Sequence, residues 1–212
     1  MILCVEYLHH HKIIYRDIKP ENVMCMDTGY LKLIDMGTAK FLINKRSKDK
    51  ARTWTIIGSP QYMAPEIIEG HGYSFAVDIY SIGVCFYEFI AGFLPFGEDL
   101  EDPFDIYQVI IQSKELEFPE YVKDGNAKAL IQKMLNQDPV TRVKGGYGRL
   151  KSDVFFSDFD WDGLMEKGLE PPYQICLDKL IDLKKAEKAL VKAPKVKKLL
   201  AKRARRNKKK KK

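Results

Sequence analysis

Apolar positions change their period several times along the chain, and each change marks an element. Ile2, Leu3, Val5, Leu8 and Ile13 form a loose helical stripe, which predicts a helix over residues 1 to about 11. Val23-Met24-Cys25-Met26 and Leu31-Lys32-Leu33-Ile34 flank Asp27-Thr28-Gly29, the pattern of strand, turn and strand. From Thr38 to Gln61 little periodicity is left, and the basic run Lys45-Arg46-Ser47-Lys48-Asp49-Lys50 lies inside this stretch. A long exposed loop is expected there, and in a compact domain such loops are usually functional or disordered. Val77 to about Ala91 is apolar nearly all round, which means a helix that is either buried or membrane-spanning. Extended to Phe96 it is the candidate span, but Asp78, Ser81 and Glu88 interrupt it and Pro95 ends it. Two carboxylates favour the core of a soluble domain over lipid, so no membrane span is expected. Further helical patterns fall near 104–113, 125–136 and 149–156, and no internal repeat is visible.

Charge divides the chain in two. The net charge is +7 over 212 residues, yet Lys184 to Lys212 holds sixteen Lys/Arg against Glu187 alone, a net of +15. The preceding 183 residues carry 20 basic and 28 acidic side chains, a net of −8. Hydrophobic residues make up 45%, enough to bury the core of one domain of ordinary size. After Pro171-Pro172 the composition turns Leu/Lys/Ala-rich and helix-prone, so a boundary is expected near Tyr173. Cys4, Cys25, Cys85 and Cys176 show no Cys-x-x-Cys spacing, which speaks against a zinc site or disulfide framework and for a reducing compartment. The N-terminus has neither signal-peptide nor transit-peptide composition.

The chemistry lies in three short motifs. Tyr15-Arg16-Asp17-Ile18-Lys19-Pro20-Glu21-Asn22 is followed by Asp35-Met36-Gly37, eighteen residues past Asp17, and then by Met63-Ala64-Pro65-Glu66. Their order and separations resemble the protein kinase signature of catalytic loop, magnesium Asp-x-Gly and Ala-Pro-Glu. The resemblance covers about residues 1–172, down to Phe155-Phe156 and Phe159-Asp160-Trp161. It implies a protein-kinase-like fold, the C-terminal lobe only, mainly α with a small two-stranded β ribbon, while the basic tail over 173–212 matches nothing in that family. Phosphoryl transfer asks mostly for positioning and charge neutralisation. On the resemblance, Asp17 orients or accepts the proton of the substrate hydroxyl, and Lys19 steadies the transferring phosphate. Asn22 and Asp35 offer hard oxygens to Mg²⁺, and Met24 floors the adenine of ATP. Gly37 is expected to give the backbone freedom that lets Asp35 aim at the metal.

Lys19 is the residue that serine/threonine kinases carry at this point, and Tyr15 in place of the usual His resembles the AGC group. Arg52-Thr53-Trp54-Thr55-Ile56-Ile57-Gly58-Ser59-Pro60 is similar to the activation segment of cyclic-nucleotide-dependent kinases, most like the cyclic-GMP-dependent kinases of protists. Thr55 then stands at the phosphorylated position, with Arg16 and Lys40 as the cations that clamp its phosphate. Ser59 matches the hydroxyl that bonds Asp17 and Lys19. Glu66 and Arg142 match a buried structural pair, and Asp78 matches the helix residue that holds the catalytic-loop backbone. Glu21 and Glu88 match acids that bind arginine upstream of the target Ser/Thr, so basic protein substrates are expected. Gln61 departs from the usual Glu, and Met36 replaces the Phe of Asp-Phe-Gly, a swap that fills the same apolar stack.

Two other signals are set aside. His9-His10-His11 are adjacent on a helix end and do not converge as metal ligands do. Gly145-Gly146-Tyr147-Gly148 shows neither the strand before it nor the helix start after it that a phosphate loop requires, and reads as the linker ahead of the last helix of the lobe.

No Gly-x-Gly-x-x-Gly loop, Val-Ala-x-Lys strand or paired helix Glu occurs in this sequence, and only sixteen residues precede Asp17. Three functions compete: the C-lobe part of an ATP- and Mg²⁺-dependent serine/threonine kinase, a catalytically dead binding module, and a basic-tail element for nucleic acid or nuclear import. The first is preferred, with no phosphate transfer expected from this chain alone. Lys202-Arg203-Ala204-Arg205-Arg206 and the closing lysines suggest salt-sensitive, non-specific polyanion binding. A cytoplasmic location is expected, with nuclear entry through the tail.

Overall fold

A computed structural model describes residues 1–42, 51–113 and 115–172. The basic run 45–50, the boundary near Tyr173, Cys176 and the tail lie outside the described residues. The chain divides into two compact units: residues 1–24 with 31–169, and residues 25–30 with 170–212. In the second, the described part is the turn Cys25–Tyr30, closed by Met26 N–H to Tyr30 O at 2.8 Å, and residues 170–172.

Helix α1 (Ile2–His10) leads into β1 (Ile13–Ile14), and the strands β2 (Val23–Cys25) and β3 (Leu31–Leu33) form the expected ribbon. A second antiparallel pair joins β1 to β4 (Lys40–Phe41), with Ile13 opposite Phe41 and Ile14 opposite Lys40. Strands of two residues carry too little periodicity to be read from sequence, and only their pairing makes them visible.

The remaining elements are helical: α2 (Pro65–Ile68), α3 (Ala76–Ala91), α4 (Pro103–Gln112), α5 (Gly125–Met134), α6 (Pro139–Arg142), α7 (Gly146–Lys151) and α8 (Trp161–Met165). The caps explain several boundaries. Pro103 opens α4 behind Asp102, whose carboxylate accepts from Phe104 N–H. Asp124 caps α5 and Asp138 caps α6 in the same way. Gly92, at φ 80°, ends α3 in the left-handed conformation that costs glycine little.

Helix α3 is the centre of the lobe. Its nine successive residues Val77 to Cys85 are all buried, so every face has a neighbour. At Gly83 a side chain would stand 2.8 Å from Met134 Cβ, and its absence lets α3 and α5 approach closely. Glu66 of α2 and Arg142 of α6 form a buried bidentate pair at 2.6 and 3.1 Å. The guanidinium also donates to Asn136 O, Ala76 O and Gln137 O, and it lies 5.0 Å above the Tyr80 ring. Three segments distant in sequence are tied at this point. Among the described residues no helix is long and apolar enough to cross a membrane.

One expected helix resolves differently. The pattern near 149–156 is α7 followed by a separate turn of 3₁₀ helix at Val154–Phe156, because Asp153 caps the new turn through Phe155 N–H. Nor is Gly145 to Gly148 a linker: Gly145, at φ 87°, starts α7, and Tyr147 lies within it.

Candidate active site

The loop between β1 and β2 is held from below. The Asp78 carboxylate, in the first turn of α3 and fully buried, accepts from Tyr15 N–H and Arg16 N–H at 2.8 Å each. Arg16 sits at φ 71°, a conformation uncommon for a residue with a side chain, so the loop needs such a brace. Tyr15 is fully buried and its hydroxyl donates to Ile34 O, while Thr38 Oγ1 donates back to Tyr15 O at 2.9 Å. Burial, followed by the charges of Asp17, Asp35 and Asp78, pushes the Tyr15 phenol up to about 12.

Above this floor four polar side chains converge. Asp17 Oδ1 accepts from Ser59 N–H at 3.0 Å and from Ser59 Oγ at 2.9 Å. Its Oδ2 accepts from Asn22 Nδ2 at 3.0 Å and lies 3.2 Å from Lys19 Nζ. Lys19 also donates to Ser59 Oγ at 2.7 Å, and Asn22 Nδ2 bonds Asp17 O at 2.7 Å. Partial burial opposes ionisation of Asp17, but the hydrogen bonds from Ser59, Lys19 and Asn22 outweigh it and hold the carboxyl below its ordinary range. The product is an ionised carboxylate on a rigid loop with a cation beside it.

Asp35 stands at the exposed end of the turn after β3, its Oδ1 accepting from Gly37 N–H at 2.9 Å. The role expected of Gly37 changes here. The residue in the left-handed region is Asp35 itself, at φ 60°, and a side chain at Gly37 would stand 3.0 Å from Asp35 Oδ1, a tight contact that the carboxylate would have to yield to. Asn22 spends its amide nitrogen on Asp17, and among the described residues no hydrogen bond to its oxygen is seen. Asp35 likewise keeps one carboxylate oxygen outside its turn. Two hard oxygen donors of this kind suit Mg²⁺.

The stretch from Thr53 to Thr55 is tied to Tyr73. Thr53, almost fully buried, pairs with Tyr73 in an isolated β-bridge, and Tyr73 OH donates to Thr55 O at 2.5 Å. Lys40 Nζ reaches Thr53 Oγ1 at 3.0 Å, whereas Thr55 is exposed. Arg16 donates through Nε to Thr38 O at 2.6 Å, and its buried Nη1 has no partner among the described residues. Glu88 accepts from Tyr62 OH at 2.7 Å. Burial first, then that bond and the charges of Glu88 and Glu21, drive the Tyr62 phenol far up. Met24 on β2 and Glu21 are exposed.

Over residues 1–154 the sequence matches the protein kinase domain family. The chain belongs to that family. It is 47% identical over 175 residues to a cGMP-dependent protein kinase of Plasmodium berghei, covering 81% of this chain and 20% of that protein. The cGMP-dependent protein kinase of Toxoplasma gondii is 46% identical over 81% of this chain and 17% of its own length. The human cAMP-dependent protein kinase catalytic subunit PRKX is 39% identical over 81% of this chain and 46% of its length. The chain therefore spans about a fifth of the length of the first two relatives.

Within this kinase domain the structure gathers Asp17, Lys19, Asn22 and Ser59 into one cluster, pairs Glu66 with Arg142, and sets Asp78 beneath the loop. His9 is a residue that sequence reasoning missed. Its ring is buried, its Nε2 lies 2.7 Å from Asp78 Oδ2, and its Nδ1 lies 2.7 Å from Tyr147 OH. The triple-histidine run obscured it: His10 and His11 are exposed, and no spacing rule singles out the first of three. Among the described residues no group of three or more His, Cys, Asp or Glu side chains converges as a metal site would. Cys85 is fully buried, and burial, followed by Glu88 and Glu21, pushes its thiol up to about 12, which disfavours the reactive thiolate.

Proposed function

We propose that this chain carries the catalytic-loop side of a protein serine/threonine kinase of the AGC, cGMP-dependent type, transferring the γ-phosphoryl group of ATP to a Ser or Thr of a basic protein substrate. The observation that carries this reading is the Asp17–Lys19–Asn22–Ser59 cluster. Asp17, kept ionised, takes or orients the proton of the incoming hydroxyl. Lys19, held by Ser59 and Asp17, stands ready to meet the charge of the transferring phosphate. Asn22 and Asp35 would hold Mg²⁺, which when bound neutralises phosphate charge. Met24 lines the adenine side. Glu21 and Glu88, the acids around Tyr62, select basic side chains before the target residue. A phosphate on Thr55 would find Arg16 and Lys40 as counter-charges, and the unpartnered Nη1 of Arg16 supports that assignment.

The 212-residue chain holds no Gly-rich loop and no Val-Ala-x-Lys strand, the parts that cover ATP and orient its phosphates. Positioning and electrostatics supply most of the acceleration, so this chain alone is expected to transfer no measurable phosphate. Joined to the N-terminal lobe of a cGMP-dependent relative, it should phosphorylate a Ser peptide that carries upstream arginines. Asp17→Ala and Asp35→Ala should each abolish that transfer. Turnover by the chain alone would overturn the expectation of inactivity, and an active Asp35→Ala fusion would overturn the role given to Asp35.

A further inference from the structure

The brace under the catalytic loop has one more layer. Both oxygens of the Asp78 carboxylate act as acceptors, Oδ1 from Arg16 N–H and Oδ2 from Tyr15 N–H, and Oδ2 also meets His9 Nε2 at 2.7 Å. The proton in that contact must therefore sit on Nε2. In a neutral imidazole the other nitrogen, Nδ1, is then an acceptor, and the group facing it at 2.7 Å is the Tyr147 hydroxyl of α7. Phe75 lies against the same ring at 4.7 Å and leaves it little room to turn.

We propose that Tyr147 is a positioning residue for the catalytic loop: its hydroxyl donates to His9 Nδ1, holds the imidazole in its Nε2-protonated form, and so keeps a third donor on the carboxylate that fixes Tyr15 and Arg16. The chain of bonds runs from Tyr147 through His9 and Asp78 to the residue before Asp17. Burial, with the charges of Asp78 and Glu6, raises the Tyr147 phenol, so the hydroxyl keeps the proton it donates. Without it, Nδ1 would be a buried acceptor with no partner, which is costly in a low-dielectric interior. The consequence for phosphate transfer rests on the kinase reading above, whereas the bond chain does not.

The test is nitrogen-15 NMR of the 212-residue chain, reading the His9 ring nitrogens and the exchange rates of the Tyr15 and Arg16 amides. In Tyr147→Phe the Nδ1 resonance should move to that of a free basic nitrogen, and both amides should exchange about tenfold faster. Lys151→Ala is the control, since it removes the 2.9 Å ion pair to Glu6 that joins the same two helices without touching the imidazole. It should leave the Nδ1 resonance in place and the two amides near their original rates. A 3-fluorotyrosine at position 147 keeps the hydroxyl and makes it a stronger donor, so it answers the question even if the Phe variant does not fold. It should move Nδ1 in the sense opposite to Phe. The proposal is overturned if Nδ1 responds to neither change at position 147, or if Lys151→Ala loosens the loop amides as much as Tyr147→Phe. Because none of these readouts uses turnover, failure here is separable from failure of the kinase assignment.

Discussion

Asp17 and the Glu66–Arg142 pair show two uses of charge in one lobe. Asp17 is partly exposed and its folded carboxyl lies below the ordinary value, so its ionised form favours the folded state. That stabilisation is present above the unfolded value of about 4 and disappears as pH falls through the folded one. The stability gap between the protein and Asp17→Asn should therefore shrink between pH 6 and pH 3, as urea melts across that range would show; a constant gap would contradict it. Glu66 and Arg142 are different, since both are buried and the guanidinium has nowhere to find water. Glu66→Ala would leave a buried cation without its counter-charge and should cost about 3–5 kcal/mol in denaturant unfolding at neutral pH. A loss below 1 kcal/mol would mean that the backbone carbonyls around Arg142 suffice. Neither effect is visible from residue type alone. The motif announced Glu66 and Arg142, but their energetic weight comes from burial.

At the scale of elements, α3 does most of the organising. Its length and apolar girth were legible in the sequence, because a helix hydrophobic on every side must be enclosed. What it encloses was less legible. Gly83 gives no sign in the pattern that it faces Met134 across a helix–helix contact. Gly83→Ala gains helix propensity of about 1 kcal/mol, yet the added methyl would meet Met134 Cβ at 2.8 Å. The net effect should be destabilising by about 1–3 kcal/mol, read as a lower Tm, with the loss concentrated where α3 meets α5. A raised Tm would show that α5 can retreat at little cost. The same limit explains β1 and β4, whose two-residue strands exist only because the chain returns beside itself after Asp35.

For the whole molecule, charge separates a body of net −8 from a terminal segment of net +15. That terminal segment contains no aromatic residue beyond Tyr173, so base stacking has nothing to work with, and any polyanion contact should be unspecific. Binding of a labelled single-stranded oligonucleotide, followed by anisotropy, is expected to weaken steeply as salt rises and to vanish when residues 184–212 are deleted. Binding that survives the deletion would move the site to the acidic body and refute the assignment. The same segment, attached to a reporter, should carry it into the nucleus; a reporter that stays in the cytoplasm would reject the import reading.

Short-range order determined much of this protein before any folding. The spacing of Asp17, Lys19 and Asn22 along one loop, the Asp-x-Gly after a hairpin, and the all-round apolar helix are local facts, written in neighbouring residues. They suffice to mark the chemistry and the central helix. Tertiary structure alone decided what acts across distance. Ser59 reaches Asp17 from 42 residues away, and His9 stands between Asp78 and Tyr147, which lie 69 and 138 residues from it. Such contacts leave no periodicity in the sequence, because a hydrogen bond between remote segments constrains two single positions and not a repeating pattern. The physical meaning of a buried histidine or of a glycine at a helix crossing exists only once the neighbours that surround it have arrived.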